Sequence, residues 1–117
     1  MELPDLKSLR SASTARTYPV GADELARAVE SAMQGLPRWT VTHATEEEIR
    51  AVHRTRVFGF KDGVTVRLTP SPAGAHTNTQ AELRSTSRIA LWDLGKNSRG
   101  LRELLEAIDG ELTEMRF

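Results

Sequence analysis

The residues best suited to do chemistry in this chain lie between positions 83 and 97. This segment holds two arginines, Arg84 and Arg88, followed by a carboxylate at Asp93 and a carboxamide at Asn97. An arginine side chain binds carboxylate and phosphate groups through a planar, two-pronged set of donors. The backbone N–H groups at the start of a helix also favour negative charge. The four residues therefore predict a polar site for an anionic ligand.

The same segment also has a purely structural interpretation, which the sequence leaves open. Asp93 can pair with one of the arginines while Asn97 caps a helix, so that the motif ties the last strand to the last helix. In this interpretation Gly95 supplies a turn with positive φ. Ser85 and Ser87, on the core side of the strand, then make hydrogen bonds to backbone groups.

Two helices and four strands are expected to position this motif. Apolar residues at helical spacing predict one amphipathic helix that begins near Gly21 and a second that begins near Asn97. Alternating polar and apolar residues between them predict four strands, and short connections imply an antiparallel meander. Asp62 falls in an Asp-Gly dipeptide, which is typical of a hairpin turn.

These elements predict an α+β fold: a four-stranded antiparallel sheet with two helices packed on one face, in the order α-β-β-β-β-α. Residues 1–19 lack a clear periodicity and are expected to form an irregular N-terminal arm. Residues 20–117 are then a single α+β domain, which suits a chain of 117 residues.

Strand alternation also predicts where the arginines lie. If both helices cover one face of the sheet, the opposite face receives the other parity of each strand. Six arginines share that parity: Arg50, Arg54, Arg56, Arg67, Arg84 and Arg88. Residues 48–88 hold seven basic and three acidic side chains although the whole chain has a net charge of zero. A basic sheet face in a neutral protein is the result.

Composition excludes several classes of function. The chain has no cysteine, so disulfides, thiolate metal sites and a catalytic cysteine are absent. The three histidines lack metal-ligand spacing, and we predict no metal and no cofactor. No apolar run approaches the ~20 residues of a membrane span, and no signal-peptide core is apparent. The chain as given is expected to be cytoplasmic.

At the fourth strand and its exit the chain resembles the bacterial and plastid domain-of-unknown-function family 1499 (DUF1499). The resemblance rests on Arg84-Ser85-Thr86-Ser87-Arg88, then Asp93-Leu94-Gly95-Lys96-Asn97 and the helix that follows. The upstream Phe58-Gly59-Phe60-Lys61-Asp62 is similar to a Phe-rich, acidic hairpin of the family, and the likeness spans roughly residues 15–109. The chain departs from the family pattern at Gly63, where members often have a second Asp, and at Gly100, where they usually have Arg. The resemblance implies a fold and a motif, but no activity.

The leading functional hypothesis is a non-enzymatic binding or interaction module. Its site, formed by Arg84, Arg88, Asp93 and Asn97, would receive an anionic small molecule or an acidic segment of a partner protein. The alternative is a structural module that self-associates through the arginine-bearing sheet face. A weaker alternative is a hydrolase-like enzyme that uses Asp62 or Asp93. Nucleic-acid binding is disfavoured because stacking aromatic residues are scarce on the arginine parity.

Overall fold

The computed structural model of the chain describes residues 11–54, 61–70, 78–87 and 94–116. Within these ranges the chain forms five strands and two helices. In chain order they are β1 (Ser11–Tyr18), α1 (Ala22–Gly35), β2 (Trp39–Ala44), β3 (Glu48–Arg54), β4 (Lys61–Pro70), β5 (Thr79–Ser87) and α2 (Leu94–Arg116).

The five strands form one antiparallel sheet in the order β1-β5-β4-β3-β2. Strands β2 to β5 make the predicted meander. The prediction of four strands is wrong, because β1 adds a fifth strand beside β5. The irregular arm predicted for residues 1–19 is wrong for Ser11–Tyr18, and residues 1–10 lie outside the described part of the chain. Side-chain patterning could not reveal β1, because its ladder depends on the exposed edge of β5.

Helix α1 follows directly from its sequence. Gly21 precedes it in an extended conformation, and Asp23 and Glu24 occupy the first turn, where acidic side chains complement the helix dipole. Its inward side is formed by buried residues at helical spacing: Leu25, Ala26, Ala28, Val29, Ala32 and Met33. The chain leaves the helix at Leu36, immediately before Pro37, which cannot continue a helix.

The core lies between the sheet and both helices, on a single face of the sheet. Helix α2 contributes the apolar stripe Leu101, Leu104, Leu105, Ile108 and Leu112. The inward residues of the central strands meet it: Ile49, Ala51, Val64, Val66, Leu68, Ala81 and Leu83. The packing of both helices on one face is therefore as the sequence predicts, and none of the described helices covers the opposite face of the sheet.

Two polar contacts fix β1 in this arrangement. The hydroxyl of Thr79, which is 1% exposed, donates a hydrogen bond to the carbonyl oxygen of Val20 at 2.8 Å. This bond joins the start of β5 to the connection between β1 and α1. On the helix side of the sheet, Arg16 of β1 forms an exposed ion pair of 3.1 Å with Asp109 of α2. Strand β1 is thus held to β5 and to α2 at once.

Candidate functional site

The side of the sheet away from the helices, which we call the open face, carries the charged residues of the three central strands. In β5 the residues Ala81, Leu83 and Ser85 are buried, whereas Glu82 and Arg84 are exposed. The same alternation places Glu48 and Arg50 of β3, and Thr65 and Arg67 of β4, on the open face. Arg54 shares this parity at the end of β3 and is exposed. Arg56 and Arg88 lie outside the described residues.

Strand register brings these side chains together around β4. Thr65 lies opposite Arg50 in β3 and opposite Arg84 in β5. Two residues further along β4, Arg67 lies opposite Glu48 and Glu82. Neighbouring residues across antiparallel strands are close enough for their side chains to interact. The sheet therefore presents a row Arg-Thr-Arg next to a row Glu-Arg-Glu.

These two rows line a depression in the open face of about 470 Å³, which we call the arginine cavity. Its lining residues are Glu48, Arg50, Thr65, Arg67, Glu82, Arg84 and Thr86. Of the described residues, three guanidinium groups, two carboxylates and two hydroxyls therefore surround one space. Every member is carried by a paired strand, so the positions of these groups are set by the ladder and not by a loop.

On the β3 side of the cavity the charges are paired internally. The carboxylate of Glu48 lies 2.8 Å from Nη2 of Arg50 and 3.5 Å from Nε of Arg67. The hydrogen bond from Arg50 lowers the pKa of Glu48, and the Arg67 guanidinium acts in the same direction. The side chain of Glu48 is 19% exposed, against 55% for Arg50 and 71% for Arg67. Glu48 thus sits below two more exposed cations and bridges them.

On the β5 side the corresponding residues are not paired with each other. Glu82 and Arg84 have the same spacing in β5 that Glu48 and Arg50 have in β3, and both are exposed. Among the residues that the structure describes, neither forms an ion pair. The hydroxyls of Thr65 and Thr86 lie on the same face as Arg84, and Thr86 is 3.5 Å from the carbonyl oxygen of Gly63. The β5 side therefore offers a cation with hydroxyl neighbours.

Only part of the predicted ligand site can be placed. Arg84 lies in the arginine cavity. Arg88 and Asp93 lie outside the described residues. Gly95 and Asn97 belong to helix α2, which begins at Leu94, three residues before the predicted start. The cap predicted at Asn97 and the positive-φ turn predicted at Gly95 are therefore wrong, because the helix already includes both residues. The side chain of Asn97 is not described. The grouping of Arg84 with Arg88, Asp93 and Asn97 therefore stays a prediction.

The hairpin turn predicted at Asp62 is wrong. Asp62 and Gly63 lie inside β4 and are paired on both sides, so the ladder extends further than the Asp-Gly dipeptide indicates. Asp62 is 2% exposed and lies on the helix side of the sheet, opposite His53 and Ser87. A local turn preference yields here to pairing with two neighbouring strands.

A buried polar cluster surrounds Asp62, on the other side of the sheet from the arginine cavity. One carboxylate oxygen of Asp62 lies 4.0 Å from Nδ1 of His53, and the His53 ring stacks on Trp39 with 4.8 Å between ring centroids. Helix α2 packs closely above, since a Cβ built on Gly100 would lie 3.9 Å from Nδ1 of His53. Ser85 is also buried on this side, as its parity predicts.

Glu48 is one of the cavity residues that the sequence analysis did not predict, as are Thr65, Glu82 and Thr86. The signal was present, because Glu-x-Arg occurs twice at strand positions, as Glu48-Ile49-Arg50 and as Glu82-Leu83-Arg84. At a period of two, each pair must share one face of the sheet. The sequence pattern does not reveal the strand register, which places Arg67 of β4 between the two Glu-x-Arg pairs.

In residues 11–54, 61–70, 78–87 and 94–116, no three acidic or histidine side chains converge as they would around a metal ion. Neither helix in the described part of the chain is long and apolar enough to cross a membrane.

Fold and open face together define a class: a small α+β domain whose antiparallel sheet carries two helices on one side and a charged cavity on the other. The chain belongs to the family described as protein of unknown function, DUF1499, which matches residues 5–108. The resemblance seen in the Arg84–Arg88 motif is thereby confirmed. Among curated proteins, none matches the sequence.

Several solved structures share the fold. Protein MLL2253 from Mesorhizobium loti superposes with a TM-score of 0.61 at 14% identity, covering 90% of this chain and 98% of that one. Mll3558 from Rhizobium loti superposes with a TM-score of 0.56 at 17% identity, covering 86% of this chain and 95% of that one. CV1439 from Chromobacterium violaceum superposes with a TM-score of 0.55 at 12% identity, covering 85% of this chain and 94% of that one. At such identities the likeness is one of fold alone.

Proposed function

We propose that this domain is a binding module that receives an anionic group in the arginine cavity, with Arg84 as its principal contact. The observation that carries the proposal is the asymmetry of the cavity. Arg50 and Arg67 already share the carboxylate of Glu48, whereas Arg84 is exposed and forms no ion pair with any described residue. Guanidinium groups form strong, charge-assisted hydrogen bonds with oxyanions.

The size and the lining of the cavity support this function. A volume of about 470 Å³ falls in the range of small-molecule sites, ~300–1,000 Å³. The hydroxyls of Thr65 and Thr86 can donate further hydrogen bonds to an oxyanion held by Arg84. The opening toward solvent also suits an acidic side chain of a partner protein. The ligand is thus an anionic small molecule or an acidic segment.

The composition of the cavity disfavours nucleic acid as the ligand. Glu48 and Glu82 stand among the arginines, and the described lining residues include no aromatic side chain. A phosphate backbone brings many negative charges, and its affinity depends on cations that are not already neutralised. Single-stranded nucleic acid would in addition require stacking surfaces.

Arg88, Asp93 and Asn97 remain part of the proposal as the sequence analysis assigns them. Alanine substitutions there should weaken anion binding without unfolding the domain if they belong to the site. If the variants unfold instead, the three residues serve the junction between β5 and α2.

The test is a titration of the ¹⁵N-labelled protein with sodium acetate at constant ionic strength, followed by amide chemical shifts. We expect saturable shifts at Thr65, Arg84 and Thr86. Arg84→Ala should abolish them while the rest of the spectrum is preserved, because exposed substitutions usually change stability by about 0.5 kcal/mol or less. Arg102→Ala, at an exposed position of α2, removes the same charge from the other layer and should bind like wild type. Absence of saturable shifts in the wild type, or unchanged binding by Arg84→Ala, would refute the proposal.

Self-association through the open face is the second candidate, and one observation favours it. Glu82 and Arg84 are unpaired among the described residues and of opposite charge. A two-fold axis could therefore join Glu82 of each copy to Arg84 of the other. Sedimentation equilibrium distinguishes the candidates, since a dimer that Arg84→Ala dissociates supports self-association, and a monomer at all concentrations eliminates it.

A further inference from the structure

Strand β4 is flanked by two Glu-x-Arg pairs that have the same register but different states. Glu48 and Arg50 lie on one side, and Glu82 and Arg84 lie on the other. The first pair is closed by an ion pair of 2.8 Å, which also engages Arg67. The second pair is open among the described residues. Among the described residues, the cavity therefore contains one carboxylate bound by two guanidinium groups, next to a third guanidinium that forms no ion pair.

We propose that Glu48 is the specificity-determining residue of the arginine cavity and restricts its ligands to groups with a single negative charge, of which the carboxylate is the class we assign. This inference rests on the proposed function. Glu48 acts as an internal ligand that engages two of the three described arginines and balances one of their two positive charges. Among the described lining residues, an incoming group then meets three guanidiniums and two carboxylates, a net positive charge that one carboxylate balances.

Hydrogen bonds to Thr45 fix the backbone of Glu48 at the edge of the cavity. Its backbone N–H donates to the hydroxyl of Thr45 at 3.0 Å, and its carbonyl oxygen accepts from the N–H of Thr45 at 2.9 Å. Its side chain lies lower in the cavity than the arginines it bridges. An attached carboxylate in this position has a high effective concentration relative to any free anion. External ligands therefore bind beside Glu48 and do not displace it.

Charge determines which ligands this arrangement accepts. The carboxylate of Glu48 repels every anion in the cavity, and it repels a dianion twice as strongly as a monoanion. For charges roughly 7 Å apart and an effective dielectric constant of about 60, Coulomb's law gives about a fourfold change in affinity per ligand charge. Removing the charge of Glu48 should therefore favour sulfate over acetate by about fourfold through repulsion alone.

Release of the two bridged arginines adds a second effect. Without the carboxylate, Arg50 and Arg67 can donate directly to a sulfate. A hydrogen bond to a charged group contributes about tenfold or more in affinity. In Glu48→Gln the preference for sulfate over acetate should thus rise by more than about tenfold in total.

The chain offers a matched control for this experiment. Glu82→Gln removes the same charge from the same face without releasing an arginine, because Glu82 forms no ion pair among the described residues. We expect it to change the sulfate preference by about fourfold only. The double variant Glu48→Gln/Arg50→Ala should lose part of the extra preference for sulfate, because only Arg67 is then released to donate to the ligand.

The experiment measures the affinities of sodium acetate and sodium sulfate for wild type and variants at pH 7 and constant ionic strength, by amide chemical shifts. A third arm uses a blocked Gly-Glu-Gly peptide. Tighter binding of this peptide than of acetate identifies an acidic protein segment as the source of the carboxylate, and equal binding identifies a small carboxylic acid. A larger shift in preference for Glu48→Gln than for Glu82→Gln supports the specificity role.

Two failures can be told apart. If the wild type binds neither anion in the cavity, the proposed function fails and the specificity role fails with it. If acetate binds and Arg84→Ala abolishes binding, but Glu48→Gln and Glu82→Gln change the preference equally, only the role of Glu48 is overturned. Glu48 would then be one surface charge among others.

Discussion

The hydrogen bond between Thr79 and Val20 is the contact whose removal tests the position of β1 most directly. Thr79 is 1% exposed, and its hydroxyl lies 2.8 Å from the carbonyl oxygen of Val20. Thr79→Val replaces the hydroxyl by a methyl group of similar size, so it removes the donor without opening a cavity. A buried hydrogen bond contributes about 0.5–1.5 kcal/mol net, and a buried acceptor left without a partner costs about 1–3 kcal/mol.

We expect Thr79→Val to lower the free energy of unfolding by about 1–2 kcal/mol, since the added methyl group recovers part of the loss through apolar burial. Urea unfolding followed by far-UV circular dichroism measures this quantity. The control is Thr17→Val, at an exposed position one residue before Tyr18, which pairs with Thr79. It deletes the same hydroxyl from the neighbouring ladder position and should change stability by less than about 0.5 kcal/mol.

Equal stability of the two variants would refute this reasoning. The hydroxyl of Thr79 would then contribute nothing that an exposed threonine does not, and the connection between β1 and α1 would not be fastened to β5 by this bond. A change in the slope of the urea transition would indicate instead that the substitution alters the unfolded state.

Two further predictions concern α2 and the arginine cavity. Gly110 is exposed inside helix α2, and a Cβ built there meets no atom within 4 Å. Gly110→Ala should therefore raise the free energy of unfolding by about 0.5–1 kcal/mol. A loss of stability in a urea titration would contradict this. Arg50 holds the pKa of Glu48 below its usual 4.5, so the ion pair contributes stability above that value and loses it as the pH falls through the lower pKa of the folded state. Glu48→Gln should accordingly make the urea midpoint less dependent on pH in this acidic range, and an unchanged pH profile would exclude the contribution.

The predicted alternation succeeded in β5 because each of its residues meets either apolar core or water. Ala81 and Leu83 need burial while Glu82 and Arg84 need solvent, so a period of two determines which side each takes. The helices were predictable for the same reason, since an apolar stripe such as that of Leu101, Leu104 and Ile108 is stable only against other apolar surface, here the sheet and helix α1. The family motif could be recognised because it lies in consecutive residues.

Tertiary structure alone decided β1, the state of Asp62 and the pairing inside the cavity. The sequence of β1 contains no apolar alternation, and its ladder forms because β5 presents an unpaired edge. Asp62 lies in a strand and not in the expected turn, since it pairs with His53 on one side and with Ser87 on the other. Whether Arg67 meets Glu48 or Glu82 depends on side-chain geometry across three strands. Sequence thus determines which face of the sheet each residue occupies, a local matter of burial, whereas only the fold decides which distant charges become neighbours.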